Sequence, residues 1–122
     1  MINYITFVMN QLKEVAKKVP VTVTYPDTDI VPIVIVKESD QTEIFNCSAY
    51  EHASSTVTVE IYTTDIAERN SLRDSIDNKM RSLNFELVKK EDVDNSTIYK
   101  CALTYECELI KRGEDITLYR KK

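Results

Sequence analysis

Residues Ser55 to Phe85 read STVTVEIYTTDIAERNSLRDSIDNKMRSLNF, and the change of period inside this stretch decides the fold. From Thr56 to Tyr62 the apolar side chains Val57, Val59 and Ile61 alternate with Thr56, Thr58 and Glu60, the two-residue period of a strand with one dry face. Asp65 then stands at a helix cap position with Glu68 three residues on, so both side chains have an orphaned first-turn amide within reach. Beyond it Leu72, Ile76, Met80 and Leu83 recur every three or four residues, while Arg69, Arg73, Asp74, Asp77, Lys79 and Arg81 fall on other faces. The stretch is a strand followed by a helix that returns across it, and it holds no catalytic signature.

Working outward toward the N-terminus, Ile30 to Val36 is almost continuously apolar, as in a strand covered on both faces, with Pro32 near its start where a missing amide is tolerated. Before it, Val21 to Tyr25 alternates like a strand, and Pro26, Asp27 and Asp29 supply turn chemistry. Ile2, Ile5, Val8, Met9, Leu12, Val15, Ala16 and Val19 trace a helical stripe, which predicts a helix from about Asn3 to Lys18 ended by Pro20. Between Lys37 and Ser54 periodicity is weak, which predicts a long mobile connection, with room for a short strand at Glu43 to Cys47, Phe45 and Tyr50 as its anchoring aromatics and His52 as a loop residue.

Toward the C-terminus, Asn84 to Lys89 reads as a strand and Lys90 to Ser96 as a charged turn. Thr97 to Ile110 has the cleanest alternation in the chain: Tyr99, Cys101, Leu103, Tyr105, Cys107 and Leu109 on one side, Lys100, Thr104, Glu106 and Glu108 on the other. Lys111 to Asp115 is a hairpin turn using the only glycine, and Ile116 to Tyr119 returns as a last strand. These elements predict one α+β domain over residues 1–122: a mostly antiparallel, mixed sheet with an N-terminal helix and a second helix packed on one face.

Composition narrows the chemistry. A chain of 122 residues with 43% hydrophobic and 30% charged residues is neither disordered nor membrane-spanning. Its net charge of −4 gives no general pull toward nucleic acid. The start of the chain has neither the basic region nor the apolar run of a secretory signal, which predicts a cytoplasmic location. The three cysteines lack metal spacing; Cys101 and Cys107, six apart in a strand, would lie about 20 Å from each other, so the cysteines are expected to be reduced packing residues. One histidine and one glycine leave little material for a histidine-centred active site, a metal centre or a phosphate loop. Glu106 and Glu108 share a strand face, as two carboxylates in a site would, although such a pair is far more often a solvated or subunit-facing sheet surface. No cofactor is expected, and Arg120-Lys121-Lys122 reads as a frayed, solubilising end.

Several segments together carry a family likeness. The N-terminal Ile2-Asn3-Tyr4-Ile5, the run Glu51-His52-Ala53-Ser54-Ser55 leading into Val59-Glu60-Ile61-Tyr62-Thr63, Ile76-Asp77, Leu83-Asn84-Phe85, Thr97-Ile98-Tyr99-Lys100, Thr104-Tyr105-Glu106-Cys107 and Leu118-Tyr119-Arg120 resemble small tail terminator proteins of long-tailed bacteriophages. The likeness spans nearly the whole chain and lies in fold-bearing patterns. It departs from the family pattern at Asn84, where a glycine is usual, and at Lys100, where an arginine is common. The resemblance implies a non-enzymatic virion protein at the head-tail junction, assembled in the host cytoplasm. It implies a homohexameric ring that caps the tail tube, ends its polymerisation and offers a docking surface to the head. Its partners would be further copies of itself, the major tail tube protein and a head-completion or neck protein, with DNA passing through the acidic ring without specific binding. On this reading Glu60, Tyr62, Thr104, Glu106 and Glu108 on the open sheet face, with Phe45 and Tyr50, are the interaction candidates. Another neck or head-completion protein, or a cytoplasmic enzyme or ligand-binding domain using the carboxylate pair, stays open on the residues alone.

Overall fold

The computed structural model describes residues 2–24, 31–94 and 97–120. The elements run α1 (Ile5–Ala16), β1 (Val21–Thr22), β2 (Ile33–Cys47), β3 (Tyr50–Thr63), α2 (Ile66–Ser82), β4 (Glu86–Asp94), β5 (Tyr99–Arg112) and β6 (Asp115–Tyr119). They form a six-stranded sheet of order β1-β2-β3-β5-β4, with β6 also on β5. The β1–β2 pair is parallel and the others are antiparallel, so the mixed α+β sheet with two helices is as expected.

The alternation in β3 and β5 fixes which face is dry. Val57, Val59 and Ile61 pair with Tyr105, Leu103 and Cys101, and all six are at most 1% exposed. Over them lie Val8, Leu12 and Ala16 of α1 and Leu72, Ile76 and Met80 of α2, in one cluster with Ile2, Tyr4 and Phe85. Ile33, Val34, Ile35 and Val36 are all buried, in agreement with a strand covered on both faces.

The helix ends follow local chemistry. Asp65 Oδ1 accepts the amides of Ala67 at 2.8 Å and Glu68 at 3.4 Å, the Asp65 half of the predicted cap. At the other end Asn84 adopts φ 73°; its amide donates to the Arg81 carbonyl and that of Phe85 to the Met80 carbonyl, both at 3.1 Å. This pair of bonds closes a helix with a left-handed residue just past the cap, the place a glycine usually fills. Helix α1 stops at Ala16, earlier than Pro20 requires, because Lys17 turns to φ 56°.

Three expectations are corrected. The predicted mobile connection from Lys37 to Ser54 is a continuous hairpin: β2 pairs with β3 from Ile33↔Tyr62 to Cys47↔Tyr50, with Ser48 and Ala49 as the turn. Its period was hidden because the register slips at Glu38/Asp40 and again at Glu43/Phe45, leaving Ser39 and Ile44 as extra residues. The charged turn expected from Lys90 is strand as far as Asp94, because its acids have partners on α2: Asp94 binds Arg69, and Asp92 Oδ2 lies 3.8 Å from Arg73 Nη1. Arg69, assigned to the polar face, is thereby 4% exposed, with Tyr99 also under its guanidinium at 5.8 Å. The strand predicted to Tyr25 is described only as Val21–Thr22. Tyr25 and Ile30 and the turn residues Pro26, Asp27 and Asp29, like Asn95, Ser96, Lys121 and Lys122, lie outside the described residues.

Candidate functional site

The β2–β3 hairpin carries the two aromatics singled out from the sequence. Register places Phe45 opposite His52 and Tyr50 opposite both Cys47 and Arg112. The Phe45 and Tyr50 rings sit 5.5 Å apart, and the Arg112 guanidinium lies 5.3 Å from the Tyr50 centroid on the far side of the strand pair. Tyr50 is thus fixed by a ring and a cation. Phe45 and its neighbour Ile44 are each 52% exposed, a pair of large apolar side chains held out at the end of the sheet.

The face turned away from the helices holds the remaining candidates, but they differ in access. Glu60 is only 6% exposed, since Lys37 Nζ approaches one carboxylate oxygen at 2.9 Å and Lys100 Nζ the other at 3.0 Å. Tyr62 donates to Glu60 at 3.3 Å and lies under the Lys100 ammonium at 5.5 Å. Glu60 and Tyr62 therefore form the inside of a small ion-pair cluster, and Glu60 is not the presented surface charge that alternation alone suggests. Thr104 continues the cluster as a hydroxyl row, with Thr58 3.4 Å from Thr104 and 3.1 Å from Ser39. Glu106 and Glu108 do share this face; Glu86 stands directly opposite Glu106, and His52 Nε2 lies 3.5 Å from Glu108. His52 is a half-buried strand residue on β3 and not the loop residue expected, with Nε2 buried and without a hydrogen bond.

One polar network escaped sequence reading. At the first β2 bulge Glu38 and Gln41 point to the helix side, where Ser55 donates to Glu38 at 3.3 Å and Gln41 donates to the same oxygen at 3.0 Å. The Tyr4 hydroxyl meets Ser55, and the Gln41 amide exchanges bonds of 2.7 and 2.9 Å with the backbone of Ile2. Burial holds the Tyr4 hydroxyl above its ordinary value, so the phenol stays protonated in this clasp on the N-terminal segment. The signal was a polar Ser55 on an otherwise apolar face; its partners depend on a bulge that has no sequence period.

Among the described residues no group of three or more His, Cys, Asp or Glu is arranged to hold a metal. Cys101 and Cys107 are buried as expected, and burial pushes both thiols up to about 12; Cys47 is exposed at the hairpin end and is not a packing residue. A shallow groove of about 200 Å³ between α1 and β6 is lined by Asn3, Tyr4, Phe7, Glu114, Ile116 and Leu118, with a single titratable carboxylate. Among the described residues no helix is long and apolar enough to cross a membrane.

What the arrangement offers is edges. Beyond Ile35, which is the last β2 residue paired with β1, no strand among the described residues borders β2 on its outer side. On the opposite side of the sheet β6 and β4 are both terminal. Comparison with solved structures finds this fold in a chain of the virion of a native gene transfer agent particle, with a TM-score of 0.62. The two share 9% identity over 81% of this chain and 88% of that one, a likeness of fold. No protein-family model and no curated protein matches the sequence.

Proposed function

We propose that this chain is a tail terminator: a non-enzymatic virion protein that assembles into a six-membered ring on the head-proximal end of a tail tube, stops tube growth and presents the surface to which the head docks. The observation that carries the reading is the sharing of one fold, over most of both chains, with a protein of a gene transfer agent virion. The family-like segments named above supply the narrower assignment. The open sheet edges suit a ring, because a surface patch that binds a different patch on the next copy propagates head to tail and closes when the rotation allows. The half-exposed Phe45 is the apolar anchor, with Tyr50 behind it; Thr104, Glu106 and Glu108 line a polar face, and Glu60 and Tyr62 brace it from within.

The partners under this proposal are further copies of the chain, the tube protein and a head-side neck protein. DNA crosses an acidic ring, which carries six times the single-chain charge of −4, without a specific site. The test is direct: purified protein added to isolated tail tubes should decorate one end of each tube, seen by electron microscopy. Bare ends, or decoration along the tube wall, contradict it.

A further inference from the structure

Four strands share one level at the hairpin end of the sheet. Thr42, Ser54, Glu108 and Tyr119 mark its lower row, and Cys47, Tyr50, Arg112 and Asp115 its upper row, by successive pairings. On one side this block ends in the distal half of β2, and on the other in β6. Strand β2 runs with β5 and against β3, and β6 runs against β5, so the two open edges are antiparallel to each other.

The third edge differs in kind. Strand β4 carries six charged residues among nine, Glu86, Lys89, Lys90, Glu91, Asp92 and Asp94, the charge that keeps an edge from pairing; a bulge is common to both edges, at Val88 in β4 and at Ile44 in β2. The β2 segment from Thr42 to Cys47 has one charge, Glu43, and β6 has one, Asp115 at its first residue; neither contains lysine or proline.

We infer that the β2 edge of one copy pairs antiparallel with the β6 edge of the next, so that the ring is joined through a sheet continuous from subunit to subunit. This deepens the ring reading above and rests on it. Extending the observed levels across the junction without stagger sets Thr42 beside Tyr119 and Cys47 beside Asp115 of the next copy. Two features of the lone chain are then accounted for. Phe45 and Tyr119, on the face away from the helices and 52% and 44% exposed, become diagonal neighbours, a spacing that aromatic side chains bridge. Glu43 comes diagonal to Arg120 on the opposite face, an acid on one edge meeting a base at the other. Because the joined patches are different, the contact is head to tail and propagates from copy to copy, closing into the ring when the rotation allows, instead of ending at a pair.

The experiment uses the exposed native Cys47, since the other two thiols are buried and slow to react. In the full chain bearing Asp115→Cys, concentrated or assembled on tube ends, mild oxidation should give a ladder of trimers and larger species on a non-reducing gel. Adding Cys47→Ser should abolish the ladder. Glu43→Arg or Arg120→Glu alone should cut the ladder at least about tenfold, and the two together should restore it. A product that stops at dimers, no product, or a ladder of equal yield from Val88→Cys on β4 overturns the inference. Tube-end decoration without the β2–β6 crosslink would spare the terminator reading while removing this interface; the crosslinked ladder without decoration would do the reverse.

Discussion

Asn84 shows how a single residue type answers a backbone demand. At φ 73° an L-residue with an ordinary side chain is strained by about 1–2 kcal/mol, whereas glycine and asparagine visit this region readily. Asn84 Nδ2 also donates to the Leu118 carbonyl at 3.0 Å, tying the end of α2 to β6. Asn84→Gly should therefore stay close to the parent in urea unfolding, while Asn84→Ala should lose about 1 kcal/mol; an alanine variant as stable as the parent contradicts this account. The two buried thiols give a second prediction at this scale. Unfolded, each ionises near 9; folded, burial pushes them up to about 12, with a bond to Asp92 adding to the shift at Cys101. Above pH 9 the unfolded chain gives up protons that the folded chain keeps. Stability is full below that pH and falls as pH rises toward 12, by up to about 1.4 kcal/mol per pH unit for each thiol. Tyr4 and Tyr105, raised chiefly by burial, add to the decline above pH 10. Urea midpoints should be level from pH 7 to about 8.5 and drop beyond, less steeply in Cys101→Ala/Cys107→Ala; an unchanged slope in that variant would remove the thiols as the cause.

At the scale of elements, what could be read depended on whether one period ran unbroken. Strand β5, strand β3 from Ser55 onward and helix α2 apart from Arg69 each keep a single period, and their dry faces match the burial. Most of the distal half of β2 was hidden because Ser39 and Ile44 each shift the alternation by one, so only a short strand at Glu43 to Cys47 shows in the pattern. The far half of β4 was hidden for another reason: Asp92 and Asp94 read as solvent-seeking turn residues until Arg73 and Arg69 arrive from α2, more than fifteen residues earlier. Of the candidate site, alternation placed Glu60, Tyr62, Thr104, Glu106 and Glu108 on one face. The two lysines that enclose Glu60 come from neighbouring strands, and cross-strand register is not legible in one strand's pattern. The hairpin also makes a prediction. In the free protein, amides from Ser54 to Ile61, flanked by β2 and β5, should exchange slowly. The outward amides between Thr42 and Cys47 should exchange fast and become protected when the ring forms. Equal exchange of those edge amides in both states would place the subunit contact elsewhere.

For the whole molecule, the fold is one found in a gene transfer agent virion, the polar clusters brace structure, and among the described residues the sheet leaves two weakly charged edges. The central proposal is that this chain ends tube growth. A growing tube exposes at its tip the same surface that accepts the next layer, so a ring that binds that surface and shows a different outer face stops addition. The most direct measurement is the length distribution of tails, by electron microscopy, from particle-producing cells in which the gene for this chain has been deleted. The account predicts filled heads without tails beside unattached tails of abnormal, widely spread length. Unattached tails of uniform normal length would contradict it and assign the chain to the head side of the joint.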